Sequence, residues 1–112
     1  MVACALIAGA FSAAEAHGYT NYYCGVLLNS GSWCGDGSNH TYDSNRAEYS
    51  GAGLVDVCAR LLYADSINQY KRECGVNSIW VYNGTNTTTL LEAEIKHESG
   101  TARHTLYGTG IY

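Results

Sequence analysis

Four histidines, ten acidic residues and five cysteines are the side chains of this 112-residue sequence with the most chemistry to offer, and their spacing limits what that chemistry can be. A serine nucleophile raised on a sharp turn needs Gly-x-Ser-x-Gly, and the pattern is absent. A cysteine nucleophile needs a free thiol, which an oxidised pair does not provide. His97-Glu98 begins like a zinc-protease motif, but Thr101 and Ala102 stand where the second histidine would be sought. His17, His40, His97 and His104 have no close spacing that would enforce a metal site. Asp36-Gly37-Ser38-Asn39 followed by Asp43-Ser44-Asn45 collects the hard oxygens that calcium prefers, without the helix-loop-helix spacing or its closing bidentate glutamate, so turn chemistry is the better account. Gly51-x-Gly53 has Asp56 where a dinucleotide loop needs its third glycine. Glu92 and Glu94 share one face of a candidate strand and read as solvated surface, not as an acid and a base in different environments. The expectations are no catalytic residue, no metal site and no cofactor. A small hydrolase would require a cleft in which His40 or His104 meets a carboxylate.

Binding chemistry is better represented. Trp33, Tyr42, Trp80, Tyr82 and Tyr107 are the candidate contact residues, with Tyr22 and Tyr23 as further rings, and asparagine, serine and aspartate stand nearby. Flat rings for stacking and polar groups for hydroxyls are what a sugar-binding surface needs. Tyrosine has largely replaced phenylalanine, ten against one, which suits sheets with one wet face. The competing structural account packs Trp33 on the disulfide of its neighbour Cys34 and puts Trp80 partly into the core. A net charge of −4 with scattered signs leaves no basic surface for phosphates, so nucleic acid is not an expected partner.

Residues 2–14 form an uncharged, small-residue apolar run that stops at Ala14-Glu15-Ala16. That pattern predicts a secretion signal over residues 1–16, cleaved before His17, and a single domain over 17–112; the run is too short to span a bilayer. Cys4 falls in the discarded part, leaving Cys24, Cys34, Cys58 and Cys74. An even count in an exported chain reads as two disulfides, for which three connectivities are open; pairing in chain order suits consecutive hairpins.

The elements that must position these groups are short. Clusters of Gly, Ser, Asn and Asp at 29–32, 35–39, 50–53, 75–77, 83–86 and 99–100 punctuate the chain. Between them lie seven candidate strands, residues 22–28, 40–42, 54–63, 69–74, 79–82, 88–97 and 104–112. Two alternate clearly: Val55, Val57, Ala59, Leu61 and Tyr63 against Asp56 and Arg60, and Leu91, Ala93 and Ile95 against Glu92, Glu94 and Lys96. Residues 89–98 also carry a capping box, Thr89-x-x-Glu92, so a short helix competes there, with strand preferred. The predicted fold is all-β, a small antiparallel sandwich or barrel of about seven strands stapled by two disulfides.

Cys24-Gly25, Trp33-Cys34, Asn39-His40-Thr41-Tyr42, Val57-Cys58 and Arg103-His104-Thr105 resemble, over most of residues 22–112, small exported four-cysteine proteins of high-GC Gram-positive bacteria. The resemblance implies export and fold and transfers no site. The expected function is a secreted, non-catalytic cell-surface or ligand-binding domain, with cell-wall or extracellular polysaccharide as the candidate partner. A bacteriocin-like antagonist is the alternative.

Overall fold

The structure, a computed structural model, describes residues 18–24, 32–65, 67–83, 89–99 and 105–112. The expected secretion signal lies outside the described residues, as do His104 and residues 25–28 of the first candidate strand. The described chain holds eight strands: β1 (Tyr19–Cys24), β2 (Cys34–Gly35), β3 (Ser44–Tyr49), β4 (Asp56–Tyr63), β5 (Gln69–Val76), β6 (Ser78–Tyr82), β7 (Leu91–Ser99) and β8 (Leu106–Ile111). They form two four-stranded sheets, β1-β8-β3-β6 and β2-β7-β4-β5, with every pairing antiparallel. The sheets stack strand over strand, β1 on β2, β8 on β7, β3 on β4 and β6 on β5.

Alternation explains the packing. Val57, Ala59 and Leu61 of β4 and Leu91, Ala93 and Ile95 of β7 point inward and are fully buried, meeting Ala47, Val81 and Leu106 of the other sheet. Each such aliphatic side chain contributes about 1.5–3 kcal/mol of burial before chain entropy is set against it. Residues 91–99 are strand, so the capping-box pattern over 89–98 does not make a helix; cross-strand pairing with β4 outweighs a helix too short to stand alone. Three elements depart from expectation. Residues 40–42 make only an isolated bridge, His40 to Leu91, whereas Cys34–Gly35 and Ser44–Tyr49, which the sequence did not mark as strands, are the short edge strand β2 and the third strand of the first sheet.

Both sides of the sandwich are tied. At one side the chain passes between sheets through a single residue, Asn77, with φ of 64°, a left-handed conformation that asparagine tolerates. Its Oδ1 accepts the Val55 amide at 3.0 Å, and its own amide donates to the Val55 carbonyl at 2.8 Å. At the other side the Cys24–Cys34 disulfide joins edge strands β1 and β2. The second disulfide, Cys58–Cys74, joins residues directly paired across β4 and β5. The four cysteines therefore pair in chain order.

Among the described residues the core holds one histidine. His97 is 1% exposed, lies beside the Tyr49 ring with centroids 6.1 Å apart, and has no hydrogen-bond partner for either ring nitrogen among the described residues. Burial holds its pKa below the usual histidine value. The folded chain keeps His97 neutral, whereas the unfolded chain takes up a proton below about pH 6.5. The stability linked to this residue is complete above that pH and is lost as the pH falls toward the folded-state value. Melting temperatures measured from about pH 7.5 down to about pH 5.5 should fall in the wild type, with a shallower slope in His97→Leu. Parallel slopes would assign the acid sensitivity to other groups.

Candidate functional site

The outer face of the β1-β8-β3-β6 sheet gathers most of the exposed aromatic side chains. On β8 the inward positions are Leu106, Gly108 and Gly110, and the outward ones are Tyr107 and Thr109. The glycines are there for space: a Cβ on Gly108 would clash with the Cζ end of the Tyr22 ring, and one on Gly110 would stand 2.5 Å from Cε1 of Tyr42. Two inward tyrosines thus lie flat beneath β8 and let its outward residues align with the neighbouring strands.

The register then builds the face row by row. Tyr107 stands between Tyr23 of β1 and Glu48 of β3, and Glu48 is followed by Ser78 of β6. In the next row Thr109 stands between Asn21 and Arg46, and Arg46 pairs with Trp80. Tyr19 and Tyr82 occupy the two ends of the row beyond. The rings form two pairs at opposite edges of the sheet. Tyr23 and Tyr107 are tilted with centroids 6.3 Å apart, and Trp80 and Tyr82, two residues apart on one strand, stack with centroids 5.9 Å apart. Tyr23, Tyr82 and Tyr107 are all exposed.

Polar groups fill the space between the pairs. Arg46 donates to Glu48 Oε2 at 3.1 Å and to Ser78 Oγ at 3.3 Å, and its guanidinium lies 5.6 Å from the Trp80 ring centre. Thr109 Oγ1 donates to Asn21 Oδ1 at 3.1 Å. A shallow depression of about 430 Å³ is lined by Tyr23, Tyr107, Asn21, Thr109 and Glu48, with Tyr22 and Gly108 below. Aromatic walls beside a carboxylate, an amide and a hydroxyl give stacking surface and donors and acceptors in one concavity. Beneath it the Tyr22 hydroxyl donates to Asn45 Oδ1 at 2.8 Å, and burial pushes its pKa up.

Three of the five candidate contact residues, Trp80, Tyr82 and Tyr107, therefore share this face. Trp33 does not: it sits over the outside of the other sheet, with Arg60 Cζ 3.9 Å from its ring centre, Lys96 Nζ at 5.0 Å and Arg72 Cζ at 5.6 Å. These cations are tied to carboxylates, Arg60 to Glu94 at 2.8 Å, and Arg72 and Lys96 to Glu98 at 2.9 and 3.0 Å. Tyr42 is fully buried, edge-on to His40 and Tyr112, and takes no part in any surface. Tyr19 and the polar residues between the ring pairs were not singled out from sequence. The alternation Tyr19, Asn21, Tyr23 marks one face of β1, but which strands flank it is a matter of long-range pairing.

His40, the segment rich in hard oxygens and the Cys58–Cys74–Glu98 cluster each have structural partners. His40 meets a serine: Ser38 Oγ lies 3.1 Å from His40 Nε2. Asp36 is on the serine side, where its Oδ1 accepts the Ser38 amide at 3.1 Å, and burial pushes its carboxyl pKa up. A serine–histidine dyad needs a group that orients the histidine from behind; here the ring is fixed by stacking on Tyr112 at 3.6 Å, so the contact pins the loop. Of the segment rich in hard oxygens, Ser44 and Asn45 are buried strand residues. Asn83, whose triplet matches a glycosylation acceptor, is 8% exposed and donates to the Tyr42 carbonyl at 2.7 Å. Cys58, Cys74 and Glu98 offer ligand atoms within 4.8 Å of one another, but the sulfurs are bonded to each other and the carboxylate is paired with Arg72 and Lys96.

No family model, no curated protein and no solved structure matches this chain.

Proposed function

We propose that the protein is an extracytoplasmic, non-catalytic binding module that holds carbohydrate on the outer face of the β1-β8-β3-β6 sheet, cell-wall or extracellular polysaccharide being the target class. The observation that carries the reading is the placement of Tyr23, Tyr107, Trp80 and Tyr82 on one sheet face with Asn21, Thr109, Arg46 and Glu48 between them. Sugar rings offer apolar C–H faces edged by hydroxyls, and this surface offers apolar ring faces edged by donors and acceptors. Two disulfides are compatible with an oxidising, extracellular setting. Among the described residues no helix is long and apolar enough to cross a membrane.

The test is a glycan and cell-wall polysaccharide array on the oxidised protein and on folded Trp80→Ala, Tyr107→Ala and Trp33→Ala variants. Saturable binding should weaken about tenfold or more in Trp80→Ala and in Tyr107→Ala, a loss of about 1.4 kcal/mol or more each, and persist in Trp33→Ala. Loss in Trp33→Ala alone would move the site to the opposite face. Absence of binding to every glycan would end the carbohydrate reading.

A further inference from the structure

The two aromatic pairs are not adjacent. Tyr107 on β8 and Trp80 on β6 are separated by β3 and by one row of the register. Strands lie about 4.8 Å apart and two residues span about 6.7 Å along a strand, which puts the two Cα positions about 12 Å apart. A single sugar ring is too small to touch both pairs at that distance. An unbranched oligosaccharide lying across the strands reaches both and passes over Arg46 and Glu48 on the way.

The charge of the face limits what such a chain can carry. Among the described residues its charged side chains are Arg46 and Glu48, which are bonded to each other at 3.1 Å. The guanidinium is further engaged by Ser78 and by the Trp80 ring. An anionic polymer is held by cations with no competing carboxylate, and a cationic one by carboxylates with no competing cation. This face offers neither; it offers a compensated pair whose remaining lone pairs and N–H groups suit hydroxyls.

Resting on the carbohydrate reading above, we infer that the ligand is an uncharged, unbranched oligosaccharide or polysaccharide chain bound across the strands, with one ring on the Tyr23–Tyr107 pair and another on the Trp80–Tyr82 pair. The consequence is a length threshold. Chains too short to reach both pairs use one stack, and chains that reach both gain the second without a second loss of translational freedom.

The experiment is titration calorimetry of the oxidised full chain with neutral β-1,4-linked glucose and N-acetylglucosamine oligosaccharides, from one sugar to six, and with a polyuronate of matched length. Affinity should rise at least tenfold once the oligosaccharide spans both pairs. Trp80→Ala and Tyr82→Ala should each bring the long-chain affinity down toward the short-chain value, and added salt should leave neutral-chain binding unchanged. Equal affinity at all lengths, with no effect of Trp80→Ala on the long chain, would overturn the two-stack inference and leave carbohydrate binding standing. Tighter, salt-sensitive binding of the polyuronate would overturn the neutral-chain assignment. If no saccharide binds, the parent reading fails with it. If Trp80→Ala then turns a dimer into a monomer in sedimentation, the face is a contact between copies.

Discussion

Reduction of both disulfides is expected to remove about 5–6 kcal/mol of stability, which brings a domain of this size close to unfolding at room temperature. The estimate follows from loop closure. Cys24–Cys34 joins positions 10 apart and Cys58–Cys74 positions 16 apart, and in the chain-entropy picture closing loops of those sizes contributes about 2.5 and about 3 kcal/mol. The two bonds differ in what else holds their segments. Cys58 and Cys74 lie within an eight-residue strand pair, whose turn is held by Asp65 accepting the amides of Ile67 and Asn68 at 2.8 and 2.9 Å. Without the bond the hairpin keeps its ladder. Cys24–Cys34 instead ties β1, an edge strand, to β2, which is only two residues long. Removing it leaves the strand that carries Tyr19 and Tyr23 with its ladder to β8 but without its covalent tie to the second sheet. The paired substitution Cys24→Ser with Cys34→Ser should therefore weaken carbohydrate binding as well as stability, whereas Cys58→Ser with Cys74→Ser should lower stability by about 3 kcal/mol and leave the face in place. Denaturant midpoints with and without reductant, alongside glycan binding of the two double variants, measure this. A reductant-insensitive midpoint would mean that the packed sheets suffice.

The parts of this fold that were legible in the sequence are those where inward positions are apolar. In β4 the alternate residues Val57, Ala59 and Leu61, and in β7 Leu91, Ala93 and Ile95, are aliphatic, and the period-two pattern identifies both the strand and its buried face. In β3 the inward positions are Asn45, Ala47 and Tyr49. With Ser44, Asn45 and Arg46 leading, the segment resembles a turn, because the residue that fixes it in the core is polar. The aromatic face was half legible for a related reason. Trp80 and Tyr82 share a strand, so spacing alone puts them on one side. Tyr107 joins Tyr23 only because β8 pairs with β1, its residues paired with others more than 80 positions away. Trp33 and Tyr42 have the same chemistry as the residues of the face and differ only in which surface their strand or loop presents. Composition cannot supply that information.

The second large effect concerns the polar residue that hid β3. Asn45→Leu is expected to cost about 3 kcal/mol, although leucine is apolar and of similar size. Asn45 is fully buried, and its amide bridges the two sheets: Nδ2 donates to the carbonyls of Arg60 on β4 and Glu94 on β7, at 3.1 and 3.0 Å, while Oδ1 accepts the Tyr22 hydroxyl. Arg60 and Glu94 are register partners whose side chains are ion-paired on the outside, so the same pair is held from both faces of the sheet. Leucine would strand a buried phenol and take a donor from two carbonyls, and an unsatisfied buried group costs about 1–3 kcal/mol. The double variant isolates the effect. Tyr22→Phe alone should cost about 1 kcal/mol, but in the Asn45→Leu background it should recover stability, because it deletes the donor left without an acceptor. Additive costs would show that the Tyr22–Asn45 hydrogen bond carries no net coupling energy. The bridge also explains why a polar residue is kept in that position. A one-residue slip of β3 would turn Arg46 and Glu48 into the core and carry Asn45 outward. With so little apolar contrast along β3, the cross-sheet amide sets its register, and that register brings Arg46 beside Trp80 and Glu48 beside Tyr107.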